Sequence, residues 1–283
     1  MNKEPLSSFL KWPGGKRWLL KKLPEIFSIQ FNNYYEPFLG SGAVFFHLCP
    51  EESVLSDVNE ELINLFVQMR DHPQELAKQL QAHQKKHSKA YYYEIRDKNY
   101  VSPMERAGRF LYLNRTCFNG MYRENKNGKF NVPIGTKDNC IYDIDKFAHY
   151  SNALKNAELM TCDFRDTIKK AGSGDLLFVD PPYTIGQAQQ NSFIKYNSKL
   201  FSWIDQEDLC NEIVAARNRG VIIISTNAYC DELLEMYKIE GFYIQPIEKK
   251  STISGVIDKR RKTTELLITS LPCNTLIDKG EQL

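Results

Sequence analysis

Apolar residues recur along this chain with two periods. Tyr34 to Phe38 and Ser53 to Ser56 read as short strands, the second ending at Asp57. The pattern resumes at Leu159-Met160-Thr161-Cys162, then Leu176-Leu177-Phe178-Val179, then Val221-Ile222-Ile223-Ile224, a run with the continuous apolar character of strands covered on both faces. Between them lie stretches with a helical period: Ala43-Val44-Phe45-Phe46 after a glycine turn, and a segment from Asn59 with Leu62, Ile63, Phe66 and Met69 on one face. Strand and helix in alternation predict an α/β fold with a mostly parallel sheet. The rhythm breaks for roughly ninety residues, about the size of a subdomain. There His72 to Asn99 is polar and helical, and a further helix runs from Pro103 to near Asn114-Arg115. Phe118 to Arg123 and Phe130 to Pro133, joined by Glu124 to Lys129 with its Asn127-Gly128, then predict a β-hairpin. The expected division is a core of residues 1–58 and 145–272, an inserted domain at 59–144 and a flexible tail at 273–283.

Length agrees with that division, since 283 residues exceed the ~100 to 200 typical of one domain. The 42% hydrophobic and 25% charged residues are those of a globular chain. No apolar stretch approaches the ~18 residues of a membrane span, and Met1 to Pro5 lead into no signal-peptide core, so a cytoplasmic protein without a membrane partner is expected. Seven cysteines lie scattered without a Cys-x-x-Cys pair or a His at zinc spacing; they read as reduced packing residues, and no metal is expected. The net charge of +2 conceals an asymmetry. Residues 1–22 carry +5, 115–129 carry +3 and 249–262 carry +5, leaving −11 for the remainder. Basic charge in three separate segments suggests one surface facing a polyanion such as nucleic acid; the plainer alternative is three solvated loops.

Two constellations carry chemistry. Asp180-Pro181-Pro182-Tyr183 follows the run Leu176 to Val179, and ligands of open α/β sheets collect at such strand ends. A carboxylate and a proline carbonyl are acceptors that can localise the lone pair of an aromatic amine, and a tyrosine ring can stack on its base. A simple Asp-Pro turn is the rival reading. Phe38-Leu39-Gly40-Ser41-Gly42 is a glycine loop that could serve NAD, a phosphate or S-adenosylmethionine. Asp57 stands 15 residues after Gly42, where an acidic side chain accepts ribose hydroxyls, or alternatively caps the next helix. Glu36 ahead of the loop would repel a pyrophosphate and so favours S-adenosylmethionine over NAD. Phe9-Leu10-Lys11-Trp12-Pro13-Gly14-Gly15-Lys16 adds a cation suited to the cofactor's carboxylate.

Together these segments resemble the Dam family of DNA adenine N6-methyltransferases, in the class with an internal target-recognition domain. The likeness runs from about Phe9 to Leu271. It rests on Phe9 to Lys16, Glu36 to Gly42, Asp57, Leu111-Tyr112-Leu113-Asn114-Arg115, Phe118 to Pro133, Asp180 to Tyr183 and Glu265-Leu266-Leu267. The resemblance implies a Rossmann-like S-adenosylmethionine-dependent methyltransferase sheet of seven strands with helices on both faces. Residues 1–58 and 145–272 would be the catalytic domain and 59–144 the recognition domain. It implies Asp180, Pro181, Pro182 and Tyr183 as catalytic residues. Cofactor contacts would come from Trp12, Lys16, Glu36, Phe38, Gly40, Gly42, Asp57, Asp163 and Asp180. Lys11, Asn119, Met121, Arg123 and Pro133 would read DNA, Arg123 by bidentate bonds to a guanine. Base flipping, a GATC target in double-stranded DNA and a cognate restriction endonuclease acting at the same site are further implications. Thr136 stands where relatives often have an Arg that contacts base or phosphate. Gln187 to Phe201 resembles a loop that orders when adenine enters.

Other classes explain less. A cytosine-N4 enzyme more often has Ser in place of Asp180, and a glutamine-amide methyltransferase has Asn. A dinucleotide-dependent oxidoreductase would use the glycine loop and Asp57 but not Asp180 to Tyr183, and a non-catalytic DNA-binding module would need neither.

Overall fold

A computed structural model describes residues 5–125, 128–183, 201–250 and 262–272. The expected tail at 273–283 and the loop Gln187 to Phe201, except Phe201 itself, lie outside the described residues, as do Lys126 and Asn127. Seven strands form one sheet: β1 (Tyr34–Glu36), β2 (Ser53–Asp57), β3 (Ala157–Thr161), β4 (Leu176–Val179), β5 (Ile222–Ala228), β6 (Tyr243–Lys250) and β7 (Lys262–Thr269). Their order is β3-β2-β1-β4-β5-β7-β6. The pairs β1/β4, β2/β3 and β4/β5 are parallel, and β7 lies antiparallel to both β5 and β6. The order grows one way from β1 to β3 and the other way from β4, so β1 and β4 flank the topological switch point, where open α/β sheets hold ligands. All four residues of β4 are buried, as a central strand covered on both faces requires.

By its contacts the chain forms two compact units: Met1–Arg17 with Leu39–Cys162, and Trp18–Phe38 with Asp163–Leu283. In the first, the Asn59 side chain accepts a hydrogen bond from the Leu62 amide at 3.0 Å and so caps the helix Glu60–Asp71. That helix buries Leu62, Ile63, Leu65, Phe66 and Met69. Phe9 packs against Phe46, Phe66 and Tyr150, with ring centres 5.7, 5.3 and 5.2 Å away, which pins the N-terminal segment to this core. The inserted stretch supplies helices Pro73–Lys86, Lys89–Asp97 and Pro103–Thr116. Two of these open on proline, which forgoes an amide that would be unpaired at a helix start.

The predicted hairpin is looser than its sequence suggests. The two arms do run antiparallel, but through isolated bridges, Cys117 with Ile134 and Glu124 with Phe130, and no regular ladder joins them among the described residues. Phe118–Gly120 is a turn of 3-10 helix in which Asn119 and Gly120 adopt φ of +54° and +63°. Left-handed residues break the pleat, and Pro133 has no amide to give a ladder; its carbonyl instead accepts from the Phe118 amide at 2.9 Å.

In the second unit, Ser202 and Asp205 make a reciprocal capping box at the start of helix Trp203–Asn218. Among the described residues no helix is long and apolar enough to cross a membrane. Of the six cysteines among the described residues, Cys49, Cys117, Cys140 and Cys210 are buried and Cys162 and Cys230 half-buried, and burial pushes the thiols of Cys117 and Cys210 up to about 12.

Candidate active site

In the second unit, β4 ends at Asp180-Pro181-Pro182-Tyr183, beside β5 in a register that pairs Val179 with Ser225. The next residue of β5, Thr226, is 1% exposed and donates its hydroxyl to Asp180 Oδ1 at 2.9 Å. Tyr183 hydrogen bonds with Thr226 and with Glu265 of β7. Burial first, then the negative charges of Asp180 and Glu265, hold its phenol well above the usual range, so the ring stays neutral. Glu265 is itself buried and ion-paired with Lys249 of β6. The Lys249 ammonium lies 5.4 Å from the centre of the Trp18 ring and 6.0 Å from that of Tyr183. A carboxylate oriented by a neutral donor thus sits close in chain to a clamped aromatic ring, the pairing that work on an aromatic amine needs.

The first unit contains the glycine cradle. Gly40 has φ of +47°, and its amide donates to Asp57 Oδ2 at 3.1 Å. Asp57 Oδ1 accepts from the Asn59 amide at 3.0 Å. Because Asn59 is the helix cap, the capping alternative for Asp57 falls away, and its carboxylate instead ties the loop to the end of β2. Desolvation raises the Asp57 carboxyl above its usual value, with the amides of Asn59, Gly40 and Val58 opposing. Trp12 lies against Gly40, where an added Cβ would come within 2.8 Å of its ring. The same ring stacks on Tyr122 at 5.0 Å and 20°. Ser8, Leu10 and Arg17 knit the N-terminal loop together: Leu10 N donates to Ser8 Oγ, Ser8 Oγ donates to the Ser41 carbonyl at 2.5 Å, and Arg17 Nη2 donates to the carbonyls of Ser8 and Leu10. Lys16 is 2% exposed, and its ammonium donates to the Gly14 carbonyl at 2.9 Å.

Residues 12–253 match the D12 class N6 adenine-specific DNA methyltransferase family. The chain belongs to it. It is 37% identical over 278 residues to Type II methyltransferase M1.LlaDCHI of Lactococcus lactis subsp. cremoris, covering 95% of this chain and 97% of that protein. Type II methyltransferase M.MjaIII of Methanocaldococcus jannaschii is 32% identical over 284 residues, covering 92% and 97%. The DNA adenine methylase of Serratia marcescens is 33% identical over 266 residues, again covering 92% and 97%.

This DNA adenine methyltransferase takes its methyl group from S-adenosylmethionine, which supplies an electrophilic methyl on a sulfonium. The residues present fit that cofactor. The Asp57 carboxylate suits ribose hydroxyls, a glycine backbone allows close approach, and Lys16 is a buried cation beside the Gly14-Gly15 turn. In the second unit, Glu36 is buried and accepts from the Tyr34 hydroxyl at 2.8 Å, while Phe38 packs on Phe164 at 5.4 Å. Asp163, assigned to the cofactor by resemblance, caps helix Phe164–Lys170 and pairs with Arg165, which also reaches Asp205 and Asp208.

In the inserted segment of the methyltransferase, Arg123 is exposed and its Nε donates to Asn131 Oδ1 at 2.8 Å. Asn119 is exposed, Met121 half-buried and Pro133 exposed. The Lys11 backbone is held by Asn114, whose amide group donates to the Lys11 carbonyl at 2.8 Å and accepts from its N–H at 3.2 Å. Burial first, then the neighbouring Lys137, lower the Lys11 ammonium from its usual value.

The basic segments contribute less free charge than their sequence count. Lys16 is buried, Arg115 is 1% exposed with Tyr142 stacked 4.1 Å from its guanidinium, and Lys249 is neutralised by Glu265. Burying Lys16 and Arg115 adds packing from their long stems and leaves less of their charge on the surface, while Lys249 stays half-buried. Thr226 and Lys249 are site residues that the sequence did not reveal, and Glu265 stood in a matching block without a role. The one signal was Ser225-Thr226-Asn227, three buried polar residues that end the apolar run of β5.

Proposed function

We propose that this methyltransferase flips its target adenine out of duplex DNA at GATC and methylates N6 by direct in-line attack. The observation that supports this best is the Asp180 carboxylate at a buried strand end, bonded to Thr226 and followed by a Tyr183 ring held neutral. Asp180 and the Pro181 carbonyl accept the two N6–H bonds and bring the nitrogen lone pair out of the ring. That lone pair forms the new N–C bond as the S–CH3 bond breaks, its electrons staying on sulfur. The nitrogen then loses a proton to solvent. Tyr183 and Pro182 flank the flipped base. Trp12, Lys16, Glu36, Phe38, Gly40, Gly42, Asp57 and Asp163 are assigned to the cofactor.

Recognition falls to residues 59–144 with Lys11. Arg123, tied at Nε by Asn131, offers its two terminal NH2 groups to guanine O6 and N7, and Asn119, Met121 and Pro133 belong to the same pair of arms. Residues 1–58 and 145–272 carry the chemistry. A restriction endonuclease cutting the same site is the partner this reading expects.

Unmethylated plasmid treated with the purified protein and S-adenosylmethionine, then mapped at base resolution, tests the whole reading. N6-methyladenine confined to GATC is the expected result. N6-methyladenine elsewhere would remove the target, and N4-methylcytosine would remove the assignment of Asp180 to adenine.

A further inference from the structure

We infer that Thr226 is a positioning residue for methyl transfer, acting through Asp180. The inference rests on the catalytic reading of Asp180 given above. A free carboxylate at a strand end can rotate about χ2, yet its oxygen must face an amine held in line with a sulfonium methyl. Thr226 removes that freedom. It is 1% exposed on the interior strand β5, and its hydroxyl donates to Asp180 Oδ1 at 2.9 Å. One oxygen is thereby committed to a neutral donor, which fixes the plane in which the other meets substrate.

The surroundings account for the residue type. A lysine or arginine at 226 would neutralise the carboxylate that must stabilise a developing positive charge, whereas a hydroxyl orients it and leaves its charge in place. The cation that approaches Tyr183, Lys249, is paired with Glu265. Threonine is also β-branched, so its hydroxyl is restricted at χ1 by the strand. Neighbouring β5 residues have separate tasks: Asn227 donates to Gln206 Oε1 at 2.9 Å and accepts from the Ala228 amide at 2.8 Å. Within this end of β5 it is the Thr226 hydroxyl that reaches Asp180.

The test uses the full-length protein, plasmid DNA and S-adenosylmethionine. Thr226→Val keeps the shape and removes the hydroxyl. Loss of a hydrogen bond to a charged group predicts a fall of ~10- to 100-fold in the single-turnover methylation rate. Dissociation constants for cofactor and DNA should stay within about twofold, a split that a merely structural defect would not give. Thr226→Ser should restore the rate to within a few-fold, since the donor returns. Thr226→Ala repeats the measurement without a methyl against Asp180 if the valine variant does not fold. Asp180→Asn, run in parallel, separates the two claims. If Asp180→Asn is inactive while folded Thr226→Val and Thr226→Ala turn over at the wild-type rate, the role of Thr226 is overturned and that of Asp180 stands. If Asp180→Asn is fully active, the catalytic reading fails first. Addition of Thr226→Val to Asp180→Asn should lower the residual rate no further; an added loss would show that Thr226 acts otherwise than through Asp180.

Discussion

Alanine at Gly40 separates close packing from backbone strain. The added methyl would lie 2.8 Å from Trp12 Cδ1 and 3.1 Å from its Nε1. The indole cannot retreat easily, because it stacks on Tyr122 at 5.0 Å and runs nearly parallel to Phe110 at 6.3 Å. Forcing a methyl into a packed site costs ~1 to 3 kcal/mol. The backbone φ of +47° adds the left-handed cost of a Cβ, ~1 to 2 kcal/mol. Gly14, at φ +83° with open space where its Cβ would stand, carries only that second cost. Urea unfolding should therefore place Gly40→Ala ~1 to 3 kcal/mol below Gly14→Ala. Because the Gly40 amide also holds Asp57, calorimetric titration should show S-adenosylmethionine bound at least ~10-fold more weakly by Gly40→Ala, a difference of one charge-assisted hydrogen bond. Equal stability losses in the two variants would refute the claim that contact with Trp12 demands glycine.

Three further outcomes are expected. Asp57→Asn should weaken S-adenosylmethionine ~10- to 100-fold by titration, and its pH signature has a definite sign. The folded carboxyl value is raised, so the Asp57 contribution to stability is full below 3.8 and is lost as pH rises through the raised value; the wild-type minus Asp57→Asn difference should fall across that window. His83, stacked on Tyr112 at 4.7 Å, is lowered by burial to about 4, so folding stability should drop as pH falls from 6.5 to about 4, by up to ~3 kcal/mol at ~1.4 per unit. His83→Phe should flatten that slope in acid-unfolding curves, and an unchanged slope would assign it elsewhere. Arg123→Ala should relax preference at one base pair by ~1 to 3 kcal/mol in competition between cognate and single-substituted duplexes, whereas Lys129→Ala should weaken all duplexes alike and reduce the salt dependence.

Features written in neighbouring residues are legible in the sequence alone. The run Leu176 to Val179 is a buried strand because four consecutive apolar side chains need cover on both faces. The glycines at 40 and 42 bend the chain in the left-handed region, and Asn59 caps a helix three residues ahead of the amide it accepts from. Asp57 and Asp180 both stand at strand ends, Asp57 closing β2 and Asp180 directly following the apolar run of β4. Contacts distant in sequence are hidden. Thr226 meets Asp180 only because β5 lies beside β4, and Glu265 meets Lys249 only because β7 turns antiparallel to β6. The burial of Lys16 and Arg115, and the left-handed Asn119 that loosens the hairpin, likewise depend on packing. Periodicity reports which face of an element is apolar, but a polar side chain at a strand end acquires its partner from strand order and register, which are set by the whole sheet.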